Sequence, residues 1–276
     1  MLVVALVAAA AIAHASWNVA LKRSGAGGPV FLWLAFVVGA VLFAPIGIWS
    51  IVEHGGPWLW LALVCGALQI AYFFLLQEAY RRADISVVYP LARGTGPLLS
   101  VVLAVLLFHE RPGTLALVGA AVVIAGVVVI GLAGSRQLNR AGVLWGSAVG
   151  VVIATYTIWD TNAVINGGMP PLGYYWAIAS AALLLAPVAL RRPALVRATA
   201  QQHWPTILIV GVLSPLAYVL ILLAVQFAPV SLIAPAREVS VVLVSLVGVI
   251  WLKEPHPVQR LVGAAVVLLG VALLAL

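Results

Sequence analysis

Two stretches of this 276-residue sequence decide its fold, because one is a copy of the other. Residues 83–132 read ADISVVYPLARGTGPLLSVVLAVLLFHERPGTLALVGAAVVIAGVVVIGL, and residues 228–276 read APVSLIAPAREVSVVLVSLVGVIWLKEPHPVQRLVGAAVVLLGVALLAL. Apolar segments align easily by chance, but the two copies share a specific order of polar, proline and glycine residues, which indicates an internal repeat. With one single-residue gap, the matched pairs are Ser86 and Ser231, Pro90 and Pro235, Arg93 and Arg237, Glu110 and Glu254, Gly119 and Gly263, and Gly126 and Gly270.

The composition places both copies in a lipid bilayer. Hydrophobic residues make up 65% of the chain and charged residues only 8%, whereas a soluble domain carries about a quarter charged residues. A helix that spans the hydrocarbon core needs roughly 20 apolar residues and satisfies its own backbone hydrogen bonds. The sequence therefore predicts an all-α polytopic membrane protein with ten transmembrane helices. The predicted spans 1 to 10 are residues 2–21, 30–51, 58–80, 85–107, 113–133, 142–164, 171–190, 204–227, 231–252 and 256–275.

The ten spans divide into two halves of five, with residues 1–134 as the first repeat and residues 135–276 as the second. The openings of the halves also correspond, since His14-Ala-Ser-Trp17-Asn18 aligns with Tyr156-Thr-Ile-Trp159-Asp160. Because five is an odd number, the two repeats enter the membrane in opposite directions. Inverted repeats of this kind are typical of secondary transporters, which bind substrate where the halves meet.

The distribution of charge predicts the orientation in the membrane. The net charge is +7, which by itself would suggest a nucleic-acid partner, but the basic residues are sorted by membrane side. Alternate loops carry eleven of them, and the loops on the other side carry only Arg111. The positive-inside rule therefore places those five loops in the cytoplasm and both termini outside. The eleven residues are Lys22, Arg23, Arg81, Arg82, Arg136, Arg140, Arg191, Arg192, Arg197, Lys253 and Arg260.

The doubled Pro…Glu…Gly-x6-Gly pattern, together with Trp17-Asn18 in span 1, resembles the EamA family of the drug/metabolite transporter superfamily over essentially the whole chain. The resemblance implies a ten-helix carrier of a bacterial inner membrane that exports amino acids, metabolites or drugs, or imports related solutes, usually without ATP. Members of the family are often described with both termini in the cytoplasm, whereas the charge count predicts the opposite for this chain.

Polar residues on two matched helix faces form the first candidate substrate site. The spacing i, i+3, i+4 places His14, Trp17 and Asn18 on one face of span 1, and we expect this face to oppose its counterpart in span 6 across a central cavity. Hydrogen bonding between helices is the alternative. The span 6 counterparts are Tyr156, Trp159 and Asp160, of which Asp160 could bind a proton or a substrate amine.

Charged residues within spans 4 and 9 form the second candidate site. A guanidinium presents a planar fork of donors that suits a carboxylate or phosphate, so Arg93 and Arg237 are candidates for binding an anionic group. The alternative is a set of buried structural ion pairs, since two arginines, Asp160 and Glu238 sum to zero charge. Prolines and glycines after Tyr89 should kink or interrupt span 4. Tyr72 and Tyr218 could line the cavity or simply pack.

Two further repeated features have structural interpretations. Glu110 and Glu254 are expected to cap the starts of spans 5 and 10, or to bridge a gate at the membrane edge. The paired glycines of spans 5 and 10 predict close helix packing, with a homodimer seam as the weaker alternative.

Together these features predict a secondary active transporter of small organic solutes, with export favoured, which works by alternating access. A lipid-headgroup flippase on the same scaffold is the alternative. The chain carries no Walker-type phosphate loop and no His-Glu-x-x-His or Gly-x-Ser-x-Gly motif, and it has a single cysteine, Cys65. We therefore expect no enzyme activity, cofactor, metal or nucleic-acid partner. The expected partners are a small solute and the bilayer, with a coupling proton as a further candidate.

Overall fold

The computed structural model of the protein describes residues 1–54, 59–83, 85–133, 140–181, 183, 186–251, 253 and 255–274, excluding the side chains at positions 73, 85, 86 and 188. Throughout this part of the chain the regular structure is helical and no strand occurs. The helices are α1 (Leu2–Ser24), α2 (Gly28–Leu42), α3 (Ala44–His54), α4 (Leu59–Arg82), α5 (Ile85–Leu107), α6 (Thr114–Gly131), α7 (Arg140–Ile165), α8 (Pro171–Ala181), α9 (Ala186–Leu190), α10 (Pro193–Ala224), α11 (Val230–Ala236), α12 (Val239–Ile250) and α13 (Pro257–Leu274).

Eight segments of the described chain are long and apolar enough to cross a membrane, and α2 with α3 makes a ninth if that bent pair is one span. The polytopic all-helical prediction is confirmed. Span 2 is broken, because α2 and α3 meet at 58°. Predicted span 7 appears as α8 and α9, with positions 182, 184 and 185 between them outside the described residues. The count of ten spans therefore stays a prediction, as does the boundary between residues 134 and 135, which also lies outside the described residues.

Span 8 starts earlier than predicted. We expected a polar connection up to His203, but α10 begins at Pro193 and runs through it, with non-helical dihedrals only at His203 (φ −124°, ψ 17°). Proline is well suited to the first turn of a helix, because its amide would lack an intrahelical partner there anyway. The break at His203 separates a polar first segment from the apolar part of α10.

The two proline-containing spans behave differently. Span 4 was predicted to be kinked or interrupted; the interruption does not occur, because α5 is continuous and holds Pro90 and Pro97 inside it, and the kink stays a prediction. Prolines are tolerated in membrane helices where neighbouring groups satisfy the freed carbonyls. In its counterpart, span 9, α11 ends at Ala236 and α12 starts at Val239, and residues 230–250 together form one candidate span. Arg237 and Glu238 form a short break in the regular helix, although their backbone dihedrals stay in the right-handed helical region.

The helix packing repeats between the halves. Helix α5 packs on α7, and its counterpart α12 packs on α1; likewise α4 packs on α7, and α10 packs on α1. The contact between α2 and α10 is matched by the contact between α8 and α4. Each of these contacts joins one half to the other, so the polar faces of both halves lie within one bundle.

The repeated glycines join the halves directly. A Cβ atom at Gly119 would lie 2.8 Å from the Gly270 carbonyl, and one at Gly126 would lie 2.8 Å from the Gly263 carbonyl. The glycine faces of α6 and α13 therefore bury each other within one chain, as small residues in membrane helices allow. They are occupied by this packing, so the homodimer prediction gains no support from these glycines.

Glu110 caps a different helix from the one predicted. Its Oε1 accepts from the Val230 amide at 2.9 Å, and its Oε2 accepts from the Ser231 amide at 3.0 Å. These amides start α11 in the other half, whereas α6 begins after Gly113 without a side-chain cap. The expected cap on span 5 is thus wrong, because the loop 108–113 directs the carboxylate across to the second repeat. Glu254 lies outside the described residues.

Candidate functional site

Ionisable side chains from both halves meet in one largely buried group, which we call the arginine cluster: His14, Arg93, Arg237 and Glu238. Only Glu238 is fully buried, and the other three are partly exposed. Nη2 of Arg93 lies 3.0 Å from Nε2 of His14, and Nη1 of Arg93 lies 3.6 Å from Oε1 of Glu238. Nε of Arg237 lies 3.7 Å from the same Glu238 oxygen. Helix α1, helix α5 and the break between α11 and α12 therefore bring together four of the sequence-predicted site residues.

Glu238 is the least satisfied member of the arginine cluster. Its side chain is 0% exposed, and neither carboxylate oxygen has a hydrogen-bond partner. Arg237 and Glu238 are adjacent in sequence, and their separation is an ion-pair distance that is too long for a hydrogen bond. A buried carboxylate without hydrogen bonds is costly, so the cluster is held in a loose arrangement with one more positive than negative charge when His14 is neutral.

Asp160 lies in a second buried group, the aspartate cluster: Asp160, Cys65, Tyr174 and Tyr218. Oδ1 of Asp160 accepts from the Tyr174 hydroxyl at 2.7 Å, and Oδ2 accepts from the Tyr218 hydroxyl. The Cys65 thiol lies close to the same carboxylate. Asp160 is 1% exposed, and no basic side chain of the described residues lies within ion-pair distance of it. Asp160 is therefore held by neutral donors and does not pair with an arginine.

A row of tyrosine rings extends from the aspartate cluster. The ring centroids of Tyr72 and Tyr156 are 6.1 Å apart, and those of Tyr156 and Tyr218 are 6.4 Å apart. Tyr175 continues the row at 5.3 Å from Tyr218. These separations suit edge-on and tilted aromatic contacts. Tyr72, Tyr156 and Tyr218 were predicted as site residues, and the structure places them in one row that reaches Asp160 through Tyr218.

The remaining predicted residues lie at the margins of the site. Trp159 points to α4, where its Nε1 donates to the Leu61 carbonyl at 2.9 Å. Asn18 donates to the His14 carbonyl of its own helix at 2.7 Å. Trp17 contacts the His14 ring edge-on at 4.9 Å and packs against the core between α2 and α10. Tyr89 is 37% exposed and its ring lies 5.6 Å from the Arg93 guanidinium carbon.

The space beside the clusters is small in this conformation. A cavity of about 10 Å³ lies between α7, α10 and α11, which is about the room needed for one water molecule. Its polar lining comes from Thr157, Thr161, Tyr218 and Arg237. The site is therefore closed, and a metabolite would need the surrounding helices to move apart.

Three side chains that sequence reasoning gave no role complete these groups. Tyr174 donates to Asp160, Cys65 lies close to the same carboxylate, and Thr157 lines the cavity that Arg237 also lines. Asp160 was the one feature of the sequence that could have indicated Tyr174 and Cys65. A carboxylate buried without a counter-ion requires several hydrogen-bond donors around it. Among the described residues no group of three or more His, Cys, Asp or Glu side chains is placed to hold a metal ion.

Fold and site together define a multi-pass membrane protein that keeps ionisable side chains inside its helix bundle. The model of the EamA-like transporter family matches residues 1–132 and again residues 140–276. The chain therefore belongs to the EamA-like transporter family, within the drug/metabolite transporter superfamily, and consists of two EamA repeats.

Comparison with solved structures agrees on the fold. The chain is similar to one crystal structure with a TM-score of 0.72 over 98% of this chain and 95% of that one, at 20% sequence identity. At this identity the likeness shows the fold alone. No curated protein matches the sequence.

Proposed function

We propose that this protein is a secondary active carrier of small organic solutes that bear an anionic group, and that it works by alternating access of its two halves. The observation that carries the proposal is the arginine cluster, in which charged side chains of both repeats meet inside apolar spans around the fully buried Glu238. Charged groups within a bilayer are costly and are characteristic of substrate and ion pathways. Membership of the EamA-like transporter family supports transport as the activity.

The position of the arginine cluster suits a site that opens to either side in turn. Arg93 and Arg237 occupy equivalent positions of the two repeats, one on α5 and one at the break after α11. If the repeats are inverted, each arginine approaches the centre from its own membrane side, and Glu238 lies between them. Discontinuous helices at the interface of inverted repeats supply such binding sites in secondary transporters.

Asp160 is proposed to carry a coupling proton. Both of its oxygens face tyrosine hydroxyls, and a hydroxyl can donate to a carboxylate or accept from a protonated carboxyl group. The aspartate cluster can therefore hold either protonation state without a nearby basic side chain. The tyrosine row extends from Tyr218 of this cluster through Tyr156 to Tyr72.

Orientation and direction complete the proposal. The basic loops face the cytoplasm of a bacterial inner membrane by the positive-inside rule, with both termini outside. Transport in the export direction follows the family resemblance. A cysteine-accessibility experiment with a membrane-impermeant thiol reagent tests the orientation: a cysteine introduced at Arg111 should react from outside intact cells, and one at Arg23 should not.

Thermal stabilisation tests the binding site. Purified protein is screened against amino acids and other metabolites, and the screen is repeated with Arg93→Ala and Asp160→Asn. A solute that stabilises the native sequence and neither variant supports the site. Equal stabilisation of all three proteins would show that the solute binds elsewhere and would contradict it.

One observation favours the alternative of a lipid-headgroup flippase. Tyr89 is exposed on the side of the bundle and its ring covers Arg93, so displacement of this ring would expose the guanidinium laterally to a phosphate headgroup. Competition distinguishes the two functions. Binding that is displaced by glycerophosphate headgroups, and not by free carboxylates, would favour the flippase.

A further inference from the structure

The two arginines of the site differ in how many partners their guanidinium groups already have. Arg93 has His14 at 3.0 Å, the Glu238 carboxylate at 3.6 Å and the Tyr89 ring beneath it. Nε of Arg237 is buried and has no hydrogen-bond partner; Glu238 lies 3.7 Å away, outside hydrogen-bond range. The two arginines occupy equivalent positions in the sequence repeat. In the structure, Nε of Arg237 remains available as a hydrogen-bond donor.

A second unused donor lies beside Arg237. Thr157 is 8% exposed, and its hydroxyl has no hydrogen-bond partner. Threonine within a helix usually donates to the carbonyl four residues earlier, as Thr155 does to Val151 at 2.8 Å in the same helix. Thr157 instead borders the small cavity that Arg237 also lines. A buried hydroxyl without a partner is unfavourable, so an acceptor in this cavity would satisfy both groups.

The charges select the kind of acceptor. Arg93, Arg237 and Glu238 leave one uncompensated positive charge, and Asp160 is engaged with tyrosines. A ligand group with one negative charge balances the cluster, whereas a phosphate monoester carries about two negative charges at neutral pH. A cation is disfavoured by the guanidinium. Charge alone also admits the singly charged phosphodiester of a lipid headgroup, which belongs to the flippase alternative. For a carrier of free solutes the matching group is a carboxylate, which accepts from a guanidinium and a hydroxyl at once.

We propose that Arg237 and Thr157 form the subsite for the carboxylate of the transported solute. Arg93 and Glu238 form an internal ion pair, which His14 contacts through Arg93, and this group holds the subsite in place. This inference rests on the proposed function. The cavity is only about 10 Å³, so the carboxylate enters when the helices that line it move apart.

The decisive variant is Thr157→Val, with Thr155→Val as its matched control on the same helix. Valine has the shape of threonine and removes only the hydroxyl, which has no partner at position 157, so Thr157→Val should fold and unfold at the same temperature as the native sequence. The probes are L-amino acids, lactate and benzoate, each compared with its own primary amide. Affinity is measured by titration of the purified protein after a thermal-shift screen.

At least one acid should bind, and its amide should bind more weakly. A hydrogen bond to a charged group contributes enough for its loss to weaken acid binding roughly 10- to 100-fold in Thr157→Val. Thr155→Val should leave the affinity unchanged, and Arg237→Gln should abolish acid binding. The subsite is overturned if acid and amide bind equally, if the two threonine variants behave alike, or if no acid binds.

Flux in proteoliposomes separates this inference from the proposed function. If the protein carries only solutes without a carboxylate, it is still a carrier and the Arg237–Thr157 subsite is wrong. If it binds acids in the predicted way but moves none of them across the membrane, the subsite stands and the carrier proposal is wrong.

Discussion

Replacement of Glu110 by glutamine removes the side-chain link between the halves at one membrane edge. The carboxylate accepts two backbone amides of α11, from Val230 at 2.9 Å and from Ser231 at 3.0 Å. Glutamine keeps one acceptor oxygen, but its NH₂ group would face the other backbone amide, donor against donor. The variant therefore loses one hydrogen bond to a charged group and weakens the second.

The magnitude follows from the environment of these bonds. A hydrogen bond to a charged group contributes about 1.5–3 kcal/mol net to stability, and a negative charge at a helix N-terminus adds about 0.3–1 kcal/mol. The pair is only part-buried and borders an open cavity of about 350 Å³, so water can replace part of the loss. We expect the free energy of unfolding to fall by about 2 kcal/mol, which corresponds to roughly 4–8 °C in the unfolding midpoint.

Thermal unfolding of the detergent-solubilised protein, followed by tryptophan fluorescence, measures this effect. The matched control is Glu53→Gln, which removes the same charge from an exposed position at the end of α3 and should leave the midpoint unchanged. Equal midpoints for Glu110→Gln and Glu53→Gln would refute the link between Glu110 and α11.

Three other variants test separate contacts. Gly126→Ala should lower the free energy of unfolding by about 1–3 kcal/mol, because its Cβ would lie 2.7 Å from the Val267 amide, whereas Gly113→Ala has open space and should be neutral in the same unfolding assay. Trp159→Phe loses the bond to the Leu61 carbonyl and should cost about 1 kcal/mol without changing solute affinity in a titration. Tyr174→Phe removes a donor from buried Asp160 and should cost about 1–3 kcal/mol by thermal unfolding.

The internal repeat predicted several features of the fold. The matched glycines predicted close helix packing in spans 5 and 10, and α6 and α13 do meet at those glycines. The matched arginines were candidates for binding an anionic group, with structural ion pairs as the alternative. Arg93 and Arg237 lie at ion-pair distance from the same carboxylate, and their role in binding stays a prediction. Side-chain size and charge at repeated positions restrict helix packing wherever the halves meet.

Other features depend on three-dimensional arrangement that one sequence does not contain. Proline predicts a helix break, yet α5 continues through Pro90 and Pro97. In the matched span, α11 ends directly after Pro235, at Ala236. Packing against neighbouring helices decides which proline ends a helix. Glu110 caps a helix 120 residues away, and no local pattern indicates such a partner. Tyr174 was missed because its role depends on Asp160, which lies on another helix.

The most direct test of the central claim is transport by the protein in proteoliposomes under an imposed pH gradient, with the radiolabelled acid that gives the strongest thermal stabilisation. The native sequence should accumulate this acid against its gradient. Asp160→Asn should still exchange labelled for unlabelled acid but lose accumulation, and Arg237→Gln should lose both. Accumulation that survives in Asp160→Asn, or exchange that survives in Arg237→Gln, would contradict a carrier that binds its proton at Asp160 and its solute at Arg237.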